Sequence, residues 1–348
     1  MKKPAKKRIN LALQGGGAHG AFTWGVLDRL LEEPELEIAA ISGTSAGAMN
    51  GAALKSGLVR GGATAARETL DWFWEQMGAL DGDQFPEWAR VFFPAPGTVS
   101  RMIEMSPLYA WRDSVSKVFS PYSYGPLYDN PLRRVVEHLA FEEVCSDAGP
   151  KLFVCATNVR TGKIRVFSGQ EITGDALLAS ACLPNIFKAV EIDDPETGRT
   201  EAYWDGGYTG NPALFPMYEP DLPADVVIVN INPLYRDEIP VTAQEIQNRI
   251  NEISFNSSLL RELRAISFVR ELIAEGRLPE GKMKAVRVHM IADDATMNEL
   301  SQATKIVPAP SVLLELKQAG RRAADGFLSA HGDKIGVEAS VDIQAMFG

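Results

Sequence analysis

The chain has 348 residues, 45% of them hydrophobic, and its 45 Asp and Glu against 35 Lys and Arg give a net charge of −10. That balance disfavours nucleic acid, whose recognition needs basic surface, and no run approaches the ~20 apolar residues of a membrane-spanning helix. The odd cysteine count (Cys145, Cys155 and Cys182) leaves at least one thiol unpaired, which favours a reducing, cytoplasmic setting.

The first residues, "MKKPAKKR", are basic, and the apolar run after them, "INLAL", is too short for a secretory signal. This head reads as a solvated tail, with contact to an anionic membrane surface as the alternative. Residues 8–13 alternate like a short buried strand, glycines follow, and a helical pattern runs through Leu31. Residues 36–42 read as a second strand and 46–56 as a helix opening directly after Ser45. This strand–loop–helix repeat predicts a parallel α/β sheet.

Residues 69–131 differ in character. They hold 13 of the 29 aromatic side chains and are broken by seven prolines, so only short elements are expected, as in an inserted cap. Clusters such as "DWFW" and "VFFP" fit either a lid with an acyl-binding face or plain core. Beyond the cap, 151–158 and 163–169 read as strands around an "RTGK" turn, and 175–184 as a helix stopped by Pro184. A second hairpin spans 188–207, 225–233 is a buried strand, 242–275 a helix, 284–291 a last strand and 311–330 a closing helix. One α/β domain with an embedded cap accounts for this order better than two independent domains.

Two loops carry chemical meaning. Gly43-Thr44-Ser45-Ala46-Gly47 fits G-x-S-x-G between a strand and a helix, the context of a nucleophile elbow. There the serine is held in a strained turn that tolerates only small neighbours, at a helix N-terminus that favours negative charge. An ordinary helix N-cap is the competing reading of Ser45. Gly15-Gly16-Gly17-Ala18-His19-Gly20 formally satisfies the dinucleotide fingerprint G-x-G-x-x-G. That motif also needs an acid at the end of the second strand, where this chain has "AAISGTSAG". A right-handed crossover instead places both loops at one end of neighbouring strands, so the N–H groups of 15–18 would face Ser45 as an oxyanion hole.

A serine nucleophile needs a proton acceptor. Of the four histidines, His289 and His331 alone could follow a downstream acid in a Ser–acid–His order, and neither sits in a loop of small residues. Asp205, ending "AYWD" before Gly206-Gly207, is the stronger base candidate, with a simple Asp-Gly turn as its alternative.

Four blocks in this order, "GGGAHG", "GTSAG", "LLASACLPNIF" and "WDGGYTGNP", resemble the patatin-like phospholipase family, with "ATNVRTGK" adding to the likeness. The resemblance implies a patatin-like three-layer sandwich with a mostly parallel central sheet. It implies a single domain over 1–348, with core motifs in 9–215, the aromatic-rich cap insertion at about 69–131 and C-terminal strands and helices in 225–348. It also implies a Ser–Asp dyad: Ser45 as nucleophile between Gly43 and Gly47, and Asp205 as general base followed by Gly206 and Gly207. Gly15, Gly16, Gly17 and Ala18 become the oxyanion donors, and no metal or cofactor is called for. Family members often carry Arg or Lys where this chain has His19, which would make the charge beside the hole depend on pH.

The expected activity is therefore hydrolysis of acyl esters of phospholipids or related lipids, by a cytoplasmic enzyme in transient contact with a membrane surface. Acyl transfer or thioester hydrolysis on carrier-bound groups would use the same atoms, and a non-catalytic lipid-binding protein is the rival from another class. An unperturbed aspartate titrates near ~3.9, far below the pH at which it would serve best as a base. A Ser–Asp dyad thus requires either a desolvated Asp205 or an oxyanion hole that carries most of the barrier reduction.

Overall fold

The computed structural model of the chain describes residues 6–78, 95–107, 109, 120–128, 130–279 and 281–347. Eight strands form one sheet: β1 (Lys7–Leu13), β2 (Leu36–Thr44), β3 (Lys151–Asn158), β4 (Ile164–Ser168), β5 (Val190–Asp194), β6 (Arg199–Asp205), β7 (Asp225–Val229) and β8 (Arg287–Ile291). The five strands β3-β2-β1-β7-β8 run parallel, while β4, β5 and β6 join antiparallel. The helices that matter for the site are α1 (Ala21–Leu30), α2 (Ala46–Gln76), α3 (Gly174–Ser180), α4 (Ala243–Ala274), α5 (Gln302–Ile306) and α6 (Pro310–His331).

Strand alternation sorts the side chains into two cores. Ile9, Leu11 and Leu13 of β1, with Val227 and Val229 of β7, face α1, α2 and α6. The alternate residues, Ala12, Val226 and Ile228, face Leu259, Leu263 and Ile266 of α4. Helices thus cover both faces, and the mostly parallel three-layer α/β architecture anticipated above is what the chain adopts.

One feature of the register positions the site. Along β3, residues 151–155 pair with β2, whose last partners are Thr44 and Cys155. Residues 156–158 pair with β6, beginning with Ala156 and Asp205. Because β4 pairs with 153–157 at the same time, it must occupy the opposite edge of β3. Strands β2 and β6 therefore share one edge, meeting end to end, and the chain turns away at Ser45 where Asp205 arrives.

The structure revises the expected cap boundary. Helix α2 does not stop near residue 56 but runs to Gln76, bent at Gly61 and at Gly62, whose φ of 70° suits glycine. Leu70, Phe73 and Trp74 in its second half are buried in the main core, and Trp74 stacks on Trp24 at 6.1 Å. The "DWFW" cluster is thus mainly core, not lid, each such buried ring contributing ~1.5–3 kcal/mol. Of the remaining cap aromatics, Phe85, Trp88, Phe92, Phe93, Trp111 and Phe119 lie outside the described residues, while Tyr122 and Tyr128 lie over the Lys188 ammonium, 5.9 and 4.7 Å from their ring centroids.

Helices α1 and α6 approach so closely that glycine is needed on both. A methyl group at Gly25 would fall 1.9 Å from the Lys317 carbonyl oxygen, and one at Gly320 would fall 2.0 Å from that of Phe22. Gly25→Ala is expected to lower unfolding free energy by about 1–3 kcal/mol, measured by urea denaturation, because backbone must move to admit the methyl.

Candidate active site

Ser45 sits between the end of β2 and the start of α2 with φ 54° and ψ −124°, the one non-glycine residue with positive φ among those described. Holding a side chain there costs roughly 1–3 kcal/mol, so the surroundings must enforce it. They do so with close packing: a Cβ on Gly47 would lie 2.1 Å from the Leu13 carbonyl oxygen, and one on Gly43 2.6 Å from that of Gly47. The Ser45 hydroxyl makes no capping bond to α2, which removes the N-cap reading. Its backbone N–H donates instead to Ser180 Oγ at 2.9 Å, and that hydroxyl donates to the Cys155 carbonyl at 2.6 Å. Ser180, the last residue of α3, thereby pins the turn to β3. Nothing in the local sequence marks it, since its partners are distant in the chain.

Asp205 ends β6 and is 1% exposed. Its N–H donates to the Cys182 carbonyl at 2.8 Å, and its carboxylate accepts the Gly207 N–H at 2.8 Å. Burial pushes its pKa up from 3.8 to about 7, against the opposing pull of the Gly207 N–H and the Ser45 hydroxyl beside it. The glycines after it permit close approach: a Cβ on Gly206 would lie 2.2 Å from the Cys155 carbonyl oxygen, and one on Gly207 2.0 Å from the Phe255 ring.

The glycine loop faces the same point. A Cβ on Gly15 would meet Ser45 Cβ at 2.7 Å. Gly17 takes φ 59° and opens a 3-10 turn, Gly17–Gly20, whose first bond runs from His19 N–H to the Gly16 carbonyl. Among the described residues, the N–H groups of Gly16, Gly17 and Ala18 have no partner in the chain, as expected for orphan donors at a helical start. Gly15 departs from expectation. Its N–H donates to Asn211 Oδ1 at 2.7 Å, so it fixes the loop and is not free to serve an oxyanion.

Side-chain amides hold this loop from behind. Gln14 Oε1 accepts the N–H groups of Ile231 and Asn232 at 2.9 and 3.1 Å, and its Nε2 donates to Asn256 of α4. Asn232 Nδ2 donates to the Gly15 carbonyl at 2.9 Å. Asn50 of α2 donates to the Gly20 carbonyl at 3.1 Å and accepts from Trp74.

The His19 expectation changes. His19 is buried, and desolvation with the nearby Lys305 charge holds its pKa well below 6.5. Thr304 Oγ1 donates to the Ser301 carbonyl at 2.9 Å, so His19 Nε2, 2.8 Å from that oxygen, carries the hydrogen. The ring is a neutral brace between the glycine loop and α5, not a pH-dependent charge. His289 bonds Asp225 and Ser340, each at 3.0 Å. Asp225 begins β7, at the end of the parallel sheet opposite Ser45, so this pair holds the far rim together. His331 packs on the Phe327 ring.

Among the described residues, no group of three or more His, Cys, Asp or Glu side chains could hold a metal ion. No described helix is long and apolar enough to cross a membrane.

A serine on a strained strand-to-helix turn packs against a glycine loop in a mostly parallel α/β protein. A model of the patatin-like phospholipase family matches residues 11–218, and the chain belongs to that family. Among curated proteins, none matches the sequence significantly. Similar solved structures include VipD from Legionella pneumophila, at 14% identity and TM-score 0.41, covering 94% of this chain and 67% of that one. The type III effector ExoU shows 16% identity and TM-score 0.33, covering 94% and 53%. The ExoU–SpcU complex of the Pseudomonas aeruginosa type III secretion system shows 15% and 0.29, covering 95% and 61%. The chain thus spans about half to two thirds of the length of these structures, and such TM-scores leave the family assignment to the sequence match. Family membership supports lipid hydrolase activity.

The raised Asp205 pKa has a cost that depends on pH. An unfolded aspartate titrates near ~3.9, so the folded state binds more protons between about 4 and 7 and loses stability as pH rises through that window. Asp205→Asn cannot ionise and keeps an acceptor for the Gly207 N–H. Its stability relative to wild type should grow between about pH 5 and about pH 8 by on the order of 2–3 kcal/mol, read from urea unfolding at both.

Proposed function

We propose that this chain is a cofactor-independent serine lipid acyl hydrolase working through a Ser45–Asp205 dyad. The observation that carries the reading is a desolvated carboxyl, poised near about 7, beside a serine hydroxyl on a strained turn. Asp205 takes the Ser45 proton as Oγ attacks an ester carbonyl. The N–H groups of Gly16, Gly17 and Ala18 receive the developing oxyanion, where each donor is worth ~2.7–4 kcal/mol of transition-state stabilisation. Protonated Asp205 then gives its proton to the departing alcohol oxygen, leaving an acyl-enzyme. Water, deprotonated by Asp205, attacks the acyl carbon and releases the carboxylic acid while Ser45 Oγ regains its proton. A pKa near the working pH serves both directions of transfer.

The Asp-Gly-Gly motif supports this role sterically, since a Cβ at 206 would strike the Cys155 carbonyl and one at 207 the Phe255 ring, crowding the corner that holds Asp205. A lipid substrate fits the surface as well. On α4, Ile246, Ile250 and Ile253 recur at helical spacing and are 43, 54 and 55% exposed. Phe255, two residues beyond Ile253 and so on another face of α4, lies against Gly207 and Tyr208. An exposed apolar stripe on the helix that also packs against the Asp-Gly-Gly corner suits transient contact with a bilayer.

Long-chain acyl ester hydrolysis should fall at least a hundredfold in Ser45→Ala and in Asp205→Asn. Wild-type kcat/KM should rise with pH through about 7 as Asp205 ionises. Retained turnover in Asp205→Asn would refute the dyad. Ile250→Glu should weaken cosedimentation with phosphatidylcholine vesicles severalfold while leaving turnover of a water-soluble short-chain ester unchanged; equal vesicle binding would remove α4 as the contact face.

A further inference from the structure

A partly buried lysine lies against the glycine loop, and the hydrolytic cycle above makes no use of it. Lys305, from α5, has a carbonyl oxygen 2.3 Å from where a Cβ on Gly17 would sit. Its side chain reaches back along the loop. Among the described residues its ammonium has one hydrogen-bond acceptor, Asn232 Oδ1 at 2.9 Å. That oxygen lies 3.7 Å from the Cβ position of Gly16, and the same amide donates to the Gly15 carbonyl at 2.9 Å. Two hydrogen bonds, through the Asn232 amide, thus link the ammonium to the glycine loop that carries the orphan N–H groups.

We propose that Lys305 is the positioning cation of the oxyanion loop: through Asn232 it fixes the loop, and its positive charge favours the negative charge that develops beside Gly16 and Gly17. The inference rests on the hydrolase reading given above. Three observations on the neighbours support it. His19 is neutral, so the imidazole on the loop itself supplies no charge. Glu252 of α4, the acid whose field reaches Lys305, is already bound by Arg236 at 2.6 and 2.9 Å and by Arg249 at 3.3 Å. Among the described residues no carboxylate sits within ion-pair distance of the ammonium, so its field is not cancelled locally and extends into a low-dielectric site, where it acts strongly.

The charged and titratable groups facing Lys305 are Glu252, which favours its charged form, and Arg236 and His19, the first of which opposes it. Desolvation dominates and lowers the Lys305 pKa from 10.5 to about 8. Loss of that proton at alkaline pH would remove the charge, giving turnover a falling limb that a merely structural lysine would not produce.

The experiment measures kcat and KM against pH for a soluble acyl ester with wild type, Ser45→Ala, Lys305→Met and Lys305→Arg. Wild-type kcat should fall as pH rises through about 8. Lys305→Met should lower kcat at neutral pH about tenfold with KM within about twofold, and should lose the falling limb. Lys305→Arg, whose guanidinium stays charged, should retain turnover and move the limb to higher pH. Wild-type kcat in Lys305→Met at neutral pH, or an unmoved limb in either variant, overturns the proposal. If Lys305→Met does not fold, the Arg variant decides by the position of its limb. Absence of Ser45-dependent turnover in wild type would instead refute the hydrolase reading, and this inference with it.

Discussion

The site depends on one edge of one strand. β3 continues for three residues past the end of β2, and β6 fills that vacated edge, so Thr44 and Asp205 become consecutive neighbours along the same backbone. No loop search or side-chain reach is needed to bring the hydroxyl and the carboxyl together. The ladder hydrogen bonds that stabilise the sheet also set their separation. Because the handover occurs inside the molecule, the carboxylate arrives in a desolvated position, and its pKa rises for the same reason that its place is fixed.

That position is expensive, and the structure offsets the cost with buried amides and hydroxyls rather than with charge. Ser180 accepts from the Ser45 N–H and Asn211 from the Gly15 N–H, while Gln14 and Asn232 tie the glycine loop to β7's exit. Neutral donors and acceptors can be satisfied in pairs at modest net gain, whereas a buried ion pair beside Asp205 would fix its protonation state. Among the described residues no cation is paired with the Asp205 carboxyl. Charge enters from the side, through Lys305 and the Glu252–Arg236–Arg249 group of α4 and the segment before it.

Close approach explains the distribution of glycine. Gly15, Gly43, Gly47 and Gly206 have ordinary or extended backbones, yet each would drive a Cβ into another segment's atoms at under 3 Å. Their role is to let three chain segments converge. Gly17, with positive φ, serves instead to turn the loop. Among the described residues the single non-glycine with positive φ is Ser45, so the backbone strain is concentrated at the serine turn.

The sequence by itself determined the α/β class, the strands, the serine turn, the glycine loop and the Asp-Gly-Gly corner. Alternation, helical spacing and glycine patterns are local, and each motif sits within a few residues. Tertiary structure alone decided that α2 continues beyond Gly62 into the core, that Gly15 is a brace and not a donor, and that His289 belongs to the opposite rim. It alone revealed Ser180, Asn211, Asn232 and Lys305, whose bonds span 73 to 217 positions of chain. Such contacts leave no periodic trace, because they are set by which backbone segments the folded sheet brings side by side. The Asp205 pKa belongs with them, since desolvation is a property of everything packed around a group and not of its neighbours in sequence.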